Sequence, residues 1–154
     1  MQNTMTDPDA SWALPAPETH PEFYADTVTK RAVAWAIDVV LIGLLTGLFA
    51  ALTVGLAVLL LPLFGLVSFL YRWWSLAARS ATPGMRLASI ELRLQDGASF
   101  DTGTAFLHTM GYFISMAIFP LQLISVILML MSARGQGLTD HILGTAAINR
   151  TARA

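Results

Sequence analysis

Residues 32–71 read AVAWAIDVVLIGLLTGLFAALTVGLAVLLLPLFGLVSFLY, and Asp38 is the single charge among these 40 residues. A helix that crosses the bilayer needs about 20 consecutive apolar residues. The stretch therefore predicts two membrane helices, at about 31–52 and 55–74, joined by an uncharged turn at residues 53–55. Two adjacent helices with a short turn form a hairpin, so we expect both ends of this hairpin on the same side of the membrane.

The composition of the whole chain also indicates that lipid surrounds the protein. Of 154 residues, 55% are hydrophobic and only 12% are charged, against about 25% charged in soluble domains. The net charge of -1 gives no electrostatic reason to expect nucleic acid as a partner. Cysteine is absent, which excludes disulfides and thiolate ligands. No catalytic motif or metal-ligand spacing appears, so we expect a membrane protein that is not an enzyme and has no cofactor or metal.

A second stretch without lysine, arginine or acidic residues covers residues 102–133. Pro120 divides it into helices at about 102–118 and 120–132, although one long kinked span is an alternative. If the stretch is a hairpin, all nine lysine and arginine residues face the cytoplasm, as the positive-inside rule prefers. This distribution favours four helices with both termini inside. A single span would place the C-terminus outside, and three and four spans both stay open.

The rest of the chain divides into tails and a middle loop. Residues 1–29 are acidic and proline-rich and lack a signal peptide, so we predict a disordered tail, followed by a membrane domain at 30–150 and a short tail at 151–154. Residues 90–94 alternate apolar and polar side chains, which predicts a strand. Residues 144–148 are suited to pair with it.

The predicted fold class is an all-α integral membrane protein. It has 3-4 transmembrane helices in hairpins, with a short cytoplasmic strand-like segment between helices 2 and 3.

Asp38 is the most informative polar residue, because an ionised carboxylate this far inside a membrane helix costs several kcal/mol unless it is paired or hydrated. Arg31 lies seven residues earlier on the same helix face, about 10 Å away along the axis. One interpretation is an ion-binding pair beside a polar crevice. The other is that Asp38 bonds a neighbouring helix and fixes the bundle, while Arg31 anchors the helix at the cytoplasmic surface.

Two more polar residues are candidates. Asp140 follows a glycine-rich turn, where it can cap a short helix that Gly144 ends, or can form a salt bridge with Arg31. His108 lies in an apolar helix and is typical of a hydrogen-bonded interior histidine. The spacing of these residues gives no reason to expect a metal site.

Three motifs together resemble the RDD family of membrane proteins over about residues 24–150. They are Arg31-(x6)-Asp38, Ala81-Thr82-Pro83-Gly84-Met85-Arg86-Leu87 and Leu138-Thr139-Asp140-His141-Ile142-Leu143-Gly144-Thr145. The resemblance implies that the family's arginine and two aspartates are Arg31, Asp38 and Asp140. It also implies a multi-pass protein of the bacterial inner (cell) membrane with a cytoplasmic N-terminus. Met85 and Thr139 depart from the lysine and histidine common at these positions.

Two functions fit these observations. The first is transport of a proton, a cation or a small solute by an oligomeric bundle that uses Asp38 within the membrane. The second is a structural, accessory or assembly subunit of a larger membrane complex. For the second, Gly43 and Gly47 form a GxxxG pair that suits close helix packing. Either function implies the lipid bilayer and further protein chains as partners.

Overall fold

The computed structural model describes residues 14–52 and 60–150, and most of this part of the chain is helical. The first pair of helices is α1 (Thr27–Leu52) and α2 (Leu60–Arg79). The predicted hairpin tip at 53–55 lies outside the described residues. Helix α1 begins four residues before the predicted start, and α2 continues five residues beyond the predicted end at 74.

The second pair of helices is α4 (Thr102–Ala117) and α5 (Phe119–Met131). The chain bends by 116° at the break between them. Ile118 is the break, and Pro120 follows at a position in the first turn of α5, where its missing N–H leaves no hydrogen bond unmade. The stretch predicted as one kinked span or as two helices is therefore two helices with a sharp turn.

Three short elements lie outside the long helices. They are α3 (Pro83–Leu87), α6 (Leu138–Leu143) and a two-stranded antiparallel sheet of β1 (Ile90–Leu94) and β2 (Thr145–Asn149). In the sheet Ile90 lies opposite Asn149 and Leu94 lies opposite Thr145. The alternation of side chains along each strand lets the sheet bury both of its faces. Ala147 packs against α2 and α4, whereas its neighbours in β2 pack against the N-terminal segment.

The segment that precedes α1 is ordered from residue 14 onward, which differs from the disordered tail predicted over 1–29. Leu14 and Tyr24 are buried against β2, and the Leu14 amide donates to the Gln95 carbonyl over 2.9 Å. A 3-10 turn, Pro21–Phe23, leads into α1. Prolines and acids dominate the composition of this segment, but its position is set by a few apolar side chains that pack on the sheet. Residues 1–13 lie outside the described part.

The start of α1 and the end of β2 meet at the same end of the helix bundle. Lys30 Nζ donates to Asn149 Oδ1 over 2.7 Å, and Asn149 Nδ2 donates to the Glu22 and Ala25 carbonyls. The sheet lies at this end too, because β1 follows α2 and pairs with β2. The chain from residue 25 to 149 thus leaves this end twice and returns to it twice.

Among the described residues, one helix is by itself long and apolar enough to cross a membrane. It is α1 with the turn before it, Pro21–Leu52, with a mean hydropathy of 2.2 in its most apolar window. Helices α4 and α5 qualify when they are taken together as one bent pair, which raises the number to two.

Candidate functional site: two carboxylate networks around a cavity

Asp38 is fully buried, and three donors from two other segments point at its carboxylate. Tyr71 of α2 donates its hydroxyl to Oδ1 over 2.7 Å, and the Gly84 amide donates to the same oxygen over 2.8 Å. Thr82 Oγ1 donates to Oδ2 over 2.5 Å. Asp38 therefore joins α1 to α2 and to the start of α3, and both of its oxygens already accept hydrogen bonds.

The loop before α3 has the local chemistry that this contact needs. Thr82 caps α3, since its Oγ1 also accepts from the Met85 amide over 3.2 Å. Pro83 occupies the first turn, where proline is favoured. A side chain at Gly84 would overlap the Ala34 carbonyl and come 2.7 Å from Asp38 Oδ1. Only glycine lets the α3 backbone approach α1 this closely.

Asp140 forms the second network, at the end of the bundle where α1 begins. Arg31 Nη1 lies 2.7 Å from Asp140 Oδ2; this nitrogen makes no hydrogen bond of regular geometry, so the contact is an ion pair. His108 Nε2 lies 3.0 Å from Oδ1, and Thr145 Oγ1 donates to Oδ1 over 2.8 Å. The Gly137 amide donates to Oδ2 over 3.0 Å. The carboxylate is thus bonded by α1, α4, β2 and its own helix.

The electrostatics of this second network favour the ionised acid. Burial on its own would raise the pKa of Asp140. The positive charge of Arg31, with the hydrogen bonds from His108 and Gly137, outweighs burial and holds the pKa of Asp140 well below its ordinary value of 3.8. Asp140 is therefore a stable negative charge at neutral pH, balanced by Arg31.

The predicted polar cluster of Arg31, Asp38 and Asp140 is thus two networks. The structure brings Arg31 and Asp140 together, but Asp38 makes its contacts with Tyr71, Thr82 and Gly84 instead. Asp140 does not cap α6 from outside, as one interpretation had it. It lies within the first turn and accepts from the Gly137 amide, and Gly144 ends the helix with a φ of 62°.

Both networks face one cavity of about 410 Å³ between α1, α2, α4, α5 and α6. This volume falls within the range of small-molecule sites in proteins. The cavity is lined by polar residues of both signs: Arg31, Asp38, Arg72, His108, Thr109 and Asp140. Its remaining wall is mostly apolar and includes Val28, Trp35, Leu76, Met116, Val126 and Met129.

Arg72 is a site residue that the sequence did not single out; it lies near the end of the helix predicted at 55–74. Because α2 continues to Arg79, Arg72 lies inside the bundle and only 7% of its surface is exposed. Its guanidinium stacks on the Tyr112 ring of α4, 4.2 Å from the centroid. Trp35 Nε1 in turn donates to the Tyr112 hydroxyl over 2.9 Å. The apolar run before Arg72 gave no sign that this arginine lines a cavity.

Gly43 and Gly47 are exposed and face away from the described part of the bundle. A Cβ built on either would meet nothing within 4 Å among the described atoms. Their face of α1 is therefore free, within the described chain, to approach another helix.

Within 14–52 and 60–150, no three histidine or acidic side chains form a group that could hold a metal ion. His141, which neighbours Asp140, places its Nδ1 2.9 Å from the Gly137 carbonyl instead.

Comparison with known proteins identifies one family. The sequence profile of the RDD family matches residues 25–144, which is most of the chain. No curated protein and no solved structure matches this chain significantly.

Proposed function

Because the chain belongs to the RDD family, we propose that it is a membrane protein that binds a small solute in its central cavity and acts in transport. The observation that carries the proposal is the cavity of about 410 Å³, which combines two arginines and two aspartates with a mostly apolar wall. A bundle that served only to anchor the chain has no need to keep such a space among buried charges, since cavities and buried polar groups both cost stability.

The proposal includes a membrane orientation. Helices α1 and α2 cross the bilayer, and α4 and α5 enter it and return. Helices of 16 and 13 residues are about 24 and 20 Å long, which is shorter than the hydrocarbon core of about 30 Å. The end that carries Lys30, Arg31 and the sheet is then the cytoplasmic end, in agreement with the positive-inside rule.

A solute in the cavity is favoured over a bare cation on Asp38. A cation at Asp38 would have to displace donors, because its carboxylate already accepts from Tyr71, Thr82 and Gly84. We assign Asp38 the role of holding the cavity wall together. The ion pair of Arg31 with Asp140 closes the cytoplasmic end of the cavity, where a shift of α6 would open it.

The test compares two neighbouring substitutions on α5. Val126 lines the cavity and Ile127 does not, yet they are similarly exposed, at 40% and 45%. We expect Val126→Trp to fill the cavity and Ile127→Trp to place the same bulk in lipid. Each protein is reconstituted in liposomes and assayed for uptake of radiolabelled sodium, alanine, glucose, acetate and octanoate.

We expect at least one solute to enter wild-type and Ile127→Trp liposomes faster than protein-free liposomes, and to lose most of this uptake in Val126→Trp. Equal uptake in the two variants would contradict the proposal. So would the absence of protein-dependent uptake for every solute in the panel.

A second candidate function is that of an accessory or assembly subunit. The free face of α1 at Gly43 and Gly47 favours it, since small residues let a second helix approach closely. In that case the particle in native membranes contains a larger partner in fixed proportion. A homo-oligomer without other chains supports transport instead.

A further inference from the structure

The cavity contains a buried guanidinium, that of Arg72, which makes no ion pair with a described carboxylate. Its Nε has no hydrogen-bond partner among the described residues. The residue lies seven positions before the end of α2, about 10 Å inside the bundle. A buried guanidinium without a partner is costly, whereas the same group beside an anion is stabilised.

The two acids that line the cavity make their direct contacts with other groups. Asp140 is paired with Arg31, and Asp38 is occupied by Tyr71, Thr82 and Gly84. The stacking on Tyr112 covers one flat face of the guanidinium. Because a stacked guanidinium keeps its N–H groups in the plane of the ring system, they stay available to an acceptor beside it.

A second unpartnered donor lies close to the first. Thr109 is 1% exposed, lines the same cavity, and its Oγ1 has no hydrogen-bond partner among the described residues. Thr109 precedes Tyr112 by three residues on α4, so both share the helix face on which Arg72 stacks. A guanidinium and a hydroxyl on facing helices form a donor set suited to one anionic group.

The rest of the cavity suits an apolar body attached to that anion. Trp35, Met116 and Val126 line it, and they are 43%, 43% and 40% exposed. The cavity is partly open to the outside of the bundle, and these partly exposed side chains line it. Under the proposed orientation this opening faces lipid, which admits an amphiphile and disfavours a strongly hydrated ion.

We propose that the cavity binds an amphiphile with one anionic head, with the head on Arg72 and Thr109 and the apolar body along Trp35, Met116 and Val126. The inference rests on the proposed function and adds to it the chemical class of the solute. The anionic head is common to free alkyl carboxylates and to anionic lipids, and the experiment separates these two sources.

The experiment measures binding of radiolabelled octanoate to the full chain in phosphatidylcholine nanodiscs, by equilibrium dialysis against empty nanodiscs. We expect saturable binding to the wild type, with weaker binding of 1-octanol, which lacks the charge, and of inorganic phosphate, which lacks the apolar body. Arg72→Met is expected to weaken octanoate binding about tenfold or more, as loss of a charged hydrogen-bond donor does.

Two further variants keep the result interpretable. Thr109→Val removes a hydroxyl that bonds nothing in the described chain, so it is expected to fold normally and to bind octanoate several-fold more weakly. Arg79→Met removes an exposed arginine at the end of the same helix and is expected to leave binding unchanged. Nanodiscs with phosphatidylglycerol distinguish the sources, since competition with octanoate assigns the site to a lipid and lack of competition assigns it to a free carboxylate.

Several results would overturn the inference. They are absence of saturable octanoate binding, equal affinity for octanol and octanoate, or Thr109→Val and Arg72→Met binding octanoate as the wild type does. If Arg72→Met does not fold, wild-type affinity in Thr109→Val is enough to reject the assigned head site. If Val126→Trp still blocks uptake of a different solute, that result supports the proposed function, and only the amphiphile is rejected.

Discussion

At the scale of single residues, the three family residues serve two different electrostatic roles. Asp38 is surrounded by neutral donors, two hydroxyls and one amide, whereas Asp140 faces the charge of Arg31. Neutral donors complete the hydrogen bonding of a carboxylate without forming an ion pair with it. An ion pair instead ties the stability of the protein to the protonation of the acid. The two aspartates should therefore respond differently to substitution.

The first prediction concerns Asp140 and acid. Its pKa is lower in the folded protein than its ordinary value of 3.8, so its ion pair contributes full stability above about pH 5 and loses it progressively as the pH falls below 3.8. Arg31 from α1 and His108 from α4 are the charged or titratable groups that contact it. We expect Asp140→Asn to cost about 3–5 kcal/mol at neutral pH and to flatten the acid dependence.

The measurement is thermal unfolding in dodecyl maltoside between pH 7 and pH 3. Asp96→Asn, at an exposed turn, serves as the matched control and should keep the acid dependence of the wild type. The same pH dependence in Asp140→Asn and in the wild type would show that this ion pair does not contribute the acid-sensitive stability.

At the scale of elements, the contact between α1 and α3 depends on the absence of a side chain. Gly84 brings its amide to Asp38 because nothing separates the α3 backbone from the Ala34 carbonyl. The short helix α3 has five residues and is too short to be stable alone. Its position is therefore set by this packing and by the Thr82 cap.

The second prediction compares two glycine substitutions. Gly84→Ala forces α3 away from α1, so we expect a loss of about 1–3 kcal/mol or more in unfolding free energy. Gly65→Ala on α2 meets nothing within 4 Å and should be neutral or stabilising by up to about 1 kcal/mol, since alanine favours helix. Unfolding in mixed micelles of dodecyl maltoside and dodecyl sulfate measures both. Equal stability of the two variants would mean that α3 is free to shift at no cost.

At the scale of the whole molecule, the start of α1 and the end of β2 lie at one end of a bundle of two helix pairs. Large apolar side chains cover the outside of α1, such as Leu44, Leu48 and Leu52, which are 66%, 58% and 72% exposed. Lipid or a neighbouring subunit covers such a surface in the membrane. The Gly43 and Gly47 face is where a neighbouring helix can come closest.

The third prediction is that Gly47→Leu reduces the mass of the particle extracted from native membranes in a mild detergent, because the added side chain keeps a second helix at a distance. Leu48→Phe, which adds bulk about a quarter turn away on the same exposed side, should leave the mass unchanged. Light scattering with mass spectrometry measures both mass and composition. An unchanged particle in Gly47→Leu would exclude this face as the interface.

The amino-acid sequence by itself determined the family and the long apolar segments. These follow from local quantities: the length of an apolar run is compared with the thickness of a bilayer, and the RDD motifs are short. The strand at residues 90–94 was also accessible, because its alternation is visible within five residues. Pairing of the two strands requires only that both lie on the same side of the membrane.

Tertiary structure alone decided what the polar residues do. The donors to Asp38 come from positions 33, 44 and 46 residues further along the chain, a separation that no helical period reports. The place of Arg72 is likewise set by a contact between two helices, since its guanidinium lies over the Tyr112 ring of α4. The sequence around a charged residue that follows an apolar run does not show whether the residue faces water or a cavity, because its environment is set by its neighbours in space.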